Sequence, residues 1–266
     1  AGESLGLTPE TRRELLGSIR HTLESQIGPV TEDTVVNTAA SVAIGRIAMH
    51  YDLGGIHYGV DAGFASSLAA LDVAVKALRD HTIDLAVTGG ASELIAPLEL
   101  VAFAKLGGLA HERLAAFDAN AEGTLLGEGT VIFALKRLDD AIRDGEQIRA
   151  VILGVGGSSD GRGKALVAPR SNGQVLAMRR AWDDAGVDPQ TVAFIECHAT
   201  GTQVGDRSEL EALRSLVKDG LEPRSIALGS GKAFVGHLRG GAGALALLRA
   251  ILVLEHQTIP GQINVR

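Results

Sequence analysis

The residues of this sequence that could do chemistry lie in three short segments, around Phe64, His198 and His237. The first segment runs from an apolar stretch that ends at Val60 into a helix predicted from Ala65, so Phe64 stands at a strand-to-helix turn. A side chain at such a turn is exposed beside the helix N-terminus, where the partial positive charge lowers the pKa of a thiol. Phenylalanine can neither accept a proton nor form a covalent intermediate, so residue 64 supplies no nucleophile.

The loop that carries His198 follows an apolar strand predicted at 192–196. Loop residues that come after a buried strand can reach a site at the carboxyl edge of the sheet. His198 is therefore a candidate site residue. The third segment, residues 231–237, reads Gly-Lys-Ala-Phe-Val-Gly-His and supplies a second histidine together with Lys232.

Taken in order, the three segments resemble the active-site motifs of the β-ketoacyl synthases. Residues 60–68 are similar to the family's elbow, V-D-x-A-C-x-S-S-L, and Phe64 stands where that motif has its nucleophilic cysteine. Residues 198–202 are similar to H-G-T-G-T, and residues 232–237 to K-x-x-I-G-H. Further stretches resemble family motifs at 46–48, 117–123, 127–129 and 160–163. The resemblance runs from about residue 37 to residue 264.

The resemblance implies a role for each residue of the site. His198 and His237 would be neutral hydrogen-bond donors to a malonyl thioester carbonyl, and would stabilise the enolate formed as carbon dioxide leaves. Lys232 would hold the second histidine and balance the local charge. Substrate contacts are expected from Thr200, Thr202 and Ser66. No tightly bound cofactor is expected, because the phosphopantetheine arm arrives on an acyl carrier protein.

Three functions stay open on this resemblance. The first is a partner of an active ketosynthase, similar to a chain length factor, in which Phe64 fills the nucleophile pocket. The second is a decarboxylase that turns malonyl-carrier into acetyl-carrier with His198 and His237. The third is an ordinary condensing enzyme whose cysteine has been substituted. In each case the resemblance predicts a homodimer or a heterodimer with a ketosynthase.

Other nucleophiles and other kinds of site are weaker interpretations. A shifted alignment would make Ser66 or Ser67 the nucleophile, but serines of the family already occupy those positions. Cys197 ends a predicted strand, and a lone buried cysteine usually serves packing. Residues 154–157 lack the full dinucleotide-binding pattern, and neither a metal-ligand pattern nor a P-loop occurs.

The composition excludes several classes of protein. The chain has 266 residues, a net charge of −7 and no basic stripe, which argues against nucleic-acid binding. It has no apolar run long enough for a membrane span, and its first residues do not read as a signal peptide. Its single cysteine, Cys197, excludes an internal disulfide and fits a reducing compartment, so we expect a cytoplasmic protein.

Alternating strands and helices predict an α/β protein with mostly parallel sheets. We expect strands at 57–63, 83–88, 130–135, 148–155, 192–196 and 226–228, and helices from Thr8 and at 42–50, 65–79, 139–144, 172–185, 207–218 and 241–254. The family resemblance adds a thiolase-like, layered fold with two related halves. It predicts a single domain over 1–266 that lacks the family's N- and C-terminal segments, with a possible boundary between the halves near 150–190.

Overall fold

The computed structural model describes residues 8–27, 31, 34, 39–93, 95–163, 168–216 and 224–265. The chain forms two compact units, Ala1–Gly59 and Val60–Arg266. In the first unit, helix α1 spans Pro9–Ile27 and helix α2 spans Ala40–His50. The hydroxyl of Thr8 accepts a hydrogen bond from the backbone N–H of Thr11 at 3.2 Å, which confirms the predicted helix start.

The second unit begins with the predicted turn and helix. A 3₁₀ turn at Gly63–Ala65 leads into α3, Ser66–Arg79. Strand β1, Ala86–Ser92, is followed by helix α4, Pro97–Lys105, and by strand β2, Gly129–Leu135. The two strands pair antiparallel, with Ala86 opposite Leu135 and Ser92 opposite Gly129. Helix α5 then spans Leu138–Arg143.

The rest of the second unit carries both histidine segments. Its elements are α6 at Ser171–Ala185, a 3₁₀ turn at Pro189–Thr191, β3 at Phe194–Glu196, α7 at Gln203–Leu216, β4 at Ala227–Gly229, α8 at Lys232–Val235, a 3₁₀ turn at Arg239–Gly241 and α9 at Ala242–His256. Strands β3 and β4 pair parallel, with Glu196 opposite Gly229. His198 follows the end of β3 by two residues, and Lys232 follows the end of β4 by three.

The largest described core cluster lies directly under the His198 loop. Its buried members are Leu114, Ala116, Cys197, Ala199 and Leu213. A second cluster joins α3 to β1 through Ala74, Leu78 and Ala86. Small side chains dominate both clusters, which agrees with an aromatic content of 3%. The loop that carries His198 is therefore anchored from below by close packing.

The strand predictions were partly wrong. Residues 57–63 and 148–155 form no strand in the described structure. At 148–155 the backbone packs against α6 instead, since a Cβ on Gly154 would lie 2.5 Å from the backbone nitrogen of Ala185. A short apolar run does not reveal whether its partner is a strand or a helix. One described strand pair is parallel and the other is antiparallel, so the pairing is mixed.

Several element boundaries also differ from the predicted ones. Helix α6 begins at Ser171 instead of being capped by it, and its N-cap is Arg170. Helix α7 begins at Gln203, so Asp206 lies inside the first turn and is no cap. The end predicted for this helix, near residue 218, lies outside the described residues. The prediction also missed α4.

Strand β1 continues through Gly89 and Gly90, where it was predicted to end. A Cβ on Gly90 would lie 2.7 Å from the Cβ of Ser67 and 2.8 Å from the Cα of Gly241. Glycine at this position therefore permits close packing of β1 against α3 and the turn before α9. Among the described residues, no helix is long and apolar enough to cross a membrane.

Candidate active site

The turn that carries Phe64 is fixed by the side chain of Ser66. The Ser66 hydroxyl accepts a hydrogen bond from the backbone N–H of Ala62 at 2.9 Å and donates one to the carbonyl of Gly63 at 2.6 Å. Gly63 has a φ of +59°, which glycine adopts without strain. Phe64 itself is 47% exposed. The turn thus leaves the side chain of residue 64 partly exposed. The hydroxyl of Ser66 is used in hydrogen bonds within the turn, and its contact with substrate stays a prediction.

The fold brings Phe64 and both predicted histidines together. The ring centroids of Phe64 and His237 lie 4.8 Å apart, and the rings of His198 and His237 meet edge to face at 5.5 Å. Phe103 on α4 also lies beside Phe64, with 6.1 Å between the ring centroids. Residues from four separate parts of the sequence therefore form one aromatic and imidazole cluster.

His237 is held in one orientation and one tautomer. Its side chain is 1% exposed, and its backbone N–H donates to the carbonyl of Leu125 at 2.7 Å. The ring Nδ1 accepts a hydrogen bond from the backbone N–H of Arg239 at 2.9 Å, so the proton of the neutral ring is on Nε2. Within the described structure, Nε2 is buried without a hydrogen-bond partner. The Nε2–H of His237 is therefore a donor that no described residue engages.

Two carboxylates on α7 hold the backbone of the His198 loop. Glu209 accepts hydrogen bonds from the backbone N–H groups of His198 and Ala199, both at 2.7 Å. Asp206 accepts from the backbone N–H of Phe117 at 2.8 Å and of Gly201 at 3.2 Å. Sequence reasoning missed both roles. The signal was present in the spacing Gly-Asp-x-x-Glu at 205–209, directly after the loop.

Glu196 connects the two histidine segments to α9. One oxygen of its carboxylate accepts a hydrogen bond from the backbone N–H of Gly231, and the other pairs with the guanidinium of Arg249. The side chains of Arg249 and Glu196 are 10% and 6% exposed, respectively. The Arg249 guanidinium also lies 5.5 Å from the ring centroid of Phe194 and 5.4 Å from that of Phe234. Both charges of the pair are therefore buried with partners.

Thr200 and Thr202, the other predicted substrate contacts, lie in the same loop as His198. Their hydroxyl oxygens are 3.1 Å apart and share a hydrogen bond. Thr202 directly precedes α7, and a Cβ on Gly205 of that helix would lie 2.5 Å from the hydroxyl oxygen of Thr202.

The electrostatics of the site keep both histidines neutral. Lys232 is buried at the start of α8, and burial lowers its pKa while the charges of Glu209 and Glu196 oppose that shift. Desolvation by the surrounding protein, followed by the charge of Lys232, lowers the pKa of His198, although this residue is exposed and the shift is smaller for an exposed ring. The same two causes, in the same order, lower the pKa of His237 to about 3. Lys232 acts on both rings through its charge.

The alternative nucleophiles are poorly placed. Cys197 is buried in the core, where desolvation and then the charges of Glu209 and Glu196 raise the pKa of its thiol. The hydroxyl of Ser67 is also buried and accepts a hydrogen bond from the backbone N–H of Ala244 at 3.0 Å. Neither side chain is available as an activated nucleophile. No three His, Cys, Asp or Glu side chains of the described residues are grouped so that they could hold a metal ion.

The lowered histidine pKa values predict a specific dependence of stability on pH. Because an unfolded histidine ionises near pH ~6.5 and folded His237 near about 3, the unfolded chain binds more protons between these values. The contribution of His237 to the free energy of unfolding therefore decreases as the pH falls through this range. We expect His237→Gln to flatten that decrease, as measured by urea denaturation at several pH values.

The quantity to compare between variants is the slope of the free energy of unfolding against pH. Glu209 and Asp206 have raised pKa values, mainly through desolvation, and act in the opposite direction over part of the same range. The exposed His256 provides a matched control, and His256→Gln should keep the wild-type slope. Equal slopes for wild type and His237→Gln would contradict the neutral, buried state of His237.

Nearly the whole chain matches two domains of one known protein family. Residues 5–141 match the family described as the β-ketoacyl synthase N-terminal domain. Residues 149–266 match the β-ketoacyl synthase C-terminal domain. The chain belongs to the β-ketoacyl synthase family.

Similar family members are parts of much larger proteins. One such relative, from the polyunsaturated fatty acid synthase of Thraustochytrium sp., is 40% identical over 237 residues, which is 88% of this chain and 8% of that protein. A mycocerosic acid synthase-like polyketide synthase of Mycobacterium tuberculosis is 40% identical over 229 residues, 85% of this chain and 11% of that protein. The chain thus spans about a tenth of the length of these curated relatives.

Solved ketosynthases have the same fold. The ketosynthase from module 6 of the bacillaene synthase of Bacillus subtilis 168 has a TM-score of 0.82 at 32% identity, over 85% of this chain and 41% of that one. The ishigamide ketosynthase/chain length factor has a TM-score of 0.77 at 30% identity, over 84% of this chain and 54% of that one. These neighbours confirm the predicted α/β, thiolase-like fold.

One departure from the family's H-G-T-G-T motif places a residue other than glycine at a positive φ. Ala199 takes the place of the motif's first glycine and has a φ of +20°, at the edge of the region that glycine adopts easily. Its N–H is bonded to Glu209 and its carbonyl accepts from the Ser230 hydroxyl at 3.1 Å. These two hydrogen bonds hold Ala199 at this φ.

Proposed function

We propose that this chain is a ketosynthase-like domain without a nucleophile, which acts on carrier-protein thioesters and removes carbon dioxide from a malonyl-type thioester. The observation that carries this proposal is the Nε2–H of His237, which is buried without a partner among the described residues. It lies in a ring that contacts both His198 and Phe64. A hydrogen-bond donor kept in this state is ready for an oxygen that gains negative charge.

The proposed reaction needs only hydrogen-bond donation from this chain. The bond between C2 of the malonyl group and its carboxylate breaks, and carbon dioxide leaves. The electron pair forms the C1–C2 double bond of an enolate, whose oxygen accepts hydrogen bonds from His237 and His198. A proton from water then adds to C2 and gives the acetyl thioester, and the hydroxide that remains combines with carbon dioxide to form bicarbonate. Desolvation and then the charge of Lys232 lower the pKa of both rings, so they act as neutral hydrogen-bond donors and transfer no proton to the enolate.

Phe64 separates this reaction from condensation. A condensing enzyme must hold its growing acyl chain covalently, and a phenyl ring offers no atom for that bond. The ring stands instead against His237 and Phe103. The site therefore retains donors for decarboxylation while residue 64 prevents acyl transfer to the protein.

The expected partner is an acyl carrier protein, whose phosphopantetheine arm presents the thioester as substrate. Support comes from the relatives, which are large polyketide and fatty acid synthases. Thr200 and Thr202, whose hydroxyls face each other in the His198 loop, are proposed to contact this arm. We further propose that the domain works as a homodimer or paired with a ketosynthase.

The test is direct conversion of malonyl-carrier protein. Purified chain and malonyl-carrier are incubated, and the carrier is examined by intact mass spectrometry for the loss of carbon dioxide. Malonyl-carrier should become acetyl-carrier with the wild type and with His256→Ala, whose exposed ring lies at the end of α9. Malonyl-carrier that stays intact after long incubation would refute the decarboxylase.

A second candidate is a partner that shapes the product of an active ketosynthase. It is favoured by the likeness to the ishigamide ketosynthase/chain length factor and by the nucleophile position of Phe64. This function predicts that removal of the chain changes the length of the product made by its mate. An active ketosynthase that keeps its product length when alone would exclude it.

A further inference from the structure

Arg239 makes the contact that decides which nitrogen of His237 carries the proton. Its backbone N–H donates to Nδ1 of that ring at 2.9 Å, two residues along the chain. A ring nitrogen that accepts a hydrogen bond cannot hold the proton of a neutral imidazole. The hydrogen bond from residue 239 therefore leaves Nε2 as the donor.

The backbone of Arg239 is in an unfavourable conformation for a residue with a side chain. Its φ is +48°, in the left-handed region that residues other than glycine rarely adopt. Such a conformation persists where surrounding contacts hold it in place. Glycine would adopt this φ more easily, so the arginine must supply something that glycine lacks.

The side chain of Arg239 reaches two other elements of the fold. Its Nε donates to the hydroxyl of Ser92, the last residue of β1, at 2.6 Å. Its Nη1 pairs with the carboxylate of Glu99 in the first turn of α4. Arg239 and Ser92 are both buried, whereas the Glu99 side chain is 30% exposed. These contacts anchor the turn before α9 to β1 and to α4.

We propose that Arg239 is a positioning residue for His237. Its guanidinium, anchored to Ser92 and Glu99, holds the backbone N–H on Nδ1 and thereby fixes the Nε2–H tautomer. Only the purpose given to the fixed tautomer, which is carbon dioxide release, rests on the proposed function. The tautomer itself can be observed independently of any activity.

The charged and titratable groups near His237 support this arrangement. His198 faces the ring of His237 at 5.5 Å. Desolvation lowers the pKa of His237, and the charges of Lys232, His198 and Arg239 lower it further. All three groups disfavour a proton on Nδ1 in addition to the one on Nε2. The hydrogen bond selects the nitrogen, and the neighbouring charges keep the ring neutral.

The experiment is nitrogen NMR of the histidine side chains in the full chain. Wild type should show one unprotonated Nδ1 and one protonated Nε2 for His237. Arg239→Gln should move both shifts toward a mixture of tautomers, and Arg239→Gly should do the same although glycine tolerates the backbone conformation. Arg239→Lys, which can still pair with Glu99, should give an intermediate result. We expect carbon dioxide release to fall by about 10- to 100-fold in Arg239→Gln.

Two further variants make the outcome decisive. Arg137 is a half-buried arginine that pairs with Asp84 and Asp140, so Arg137→Gln is a matched control that should leave the tautomer unchanged. Should Arg239→Gln fail to fold, Glu99→Gln removes the ion pair from a partly exposed position and decides the question. An unchanged Nε2–H tautomer in the folded Arg239 variants, or in Glu99→Gln, would overturn the inference.

The two proposals fail in different ways. If the tautomer follows Arg239 but wild type releases no carbon dioxide, the positioning role stands and the proposed function is wrong. If wild type releases carbon dioxide but the tautomer is the same in the Arg239 variants, the proposed function stands and the positioning role is wrong.

Discussion

Replacement of His237 with alanine is expected to lower the rate of carbon dioxide release by about 100- to 1000-fold, the usual effect of removing one preorganised donor to a developing oxyanion. The ring is buried beside His198, and its Nε2–H has no partner in the described part of the chain. Water cannot easily replace a donor at this depth. The rate is measured from the conversion of malonyl-carrier to acetyl-carrier by mass spectrometry.

The controls must separate this loss from a loss of folded protein. The alanine variant leaves the N–H of Arg239 without its acceptor, which costs about 1–3 kcal/mol when the group is buried. Thermal unfolding should therefore show a folded but less stable chain. His198→Ala should reduce the rate as well, whereas His256→Ala should not. A folded His237→Ala variant with the wild-type rate would contradict the role of this ring.

Replacement of Phe64 with cysteine is expected to create covalent acyl loading where wild type has none. Residue 64 is about half exposed in a turn directly before α3, where the helix N-terminus favours a thiolate. The other cysteine of the variant, Cys197, is buried with a raised thiol pKa. Intact mass spectrometry after incubation with an acyl thioester should show one added acyl group per chain.

The matched controls for this variant are wild type and Phe64→Ala. Both retain Cys197 and lack a thiol at residue 64, so both should remain unmodified. An adduct on Phe64→Ala would assign the reactivity to Cys197 and contradict the assignment of the turn. The absence of an adduct on a folded Phe64→Cys variant would also contradict it, and would count against the interpretation as an ordinary condensing enzyme with a substituted cysteine.

The parts of the site that sequence predicted are those encoded in short motifs. The motifs around Phe64, His198 and His237 each span nine residues or fewer. The structure brings their side chains within ring contact. Helices with clear periodicity and a terminating glycine were also predicted well, as at α6, which ends before Gly186 at a φ of +62°. Residue types and spacing within a short stretch of sequence are sufficient to predict these features.

The supporting contacts could not be predicted, because they join residues that are distant in sequence. Arg239 meets Glu99 across 140 residues, and it meets Ser92 across 147. Glu209 lies only 11 and 10 residues after the backbone groups that it bonds, and the spacing Gly-Asp-x-x-Glu at 205–209 was the one signal of its role. The strands at 57–63 and 148–155 were wrongly predicted for a similar reason, since apolar residues indicate burial without naming the partner.

The carboxylate of Glu196 couples the histidine segments to the docking of α9. It binds Gly231 across 35 residues and Arg249 across 53, and so joins β3, the start of α8 and α9 at one point. Removing one partner of a buried ion pair is strongly unfavourable. A substitution that loosens α9 should therefore also disturb the loop of His198 and the segment of His237, although that helix supplies neither ring.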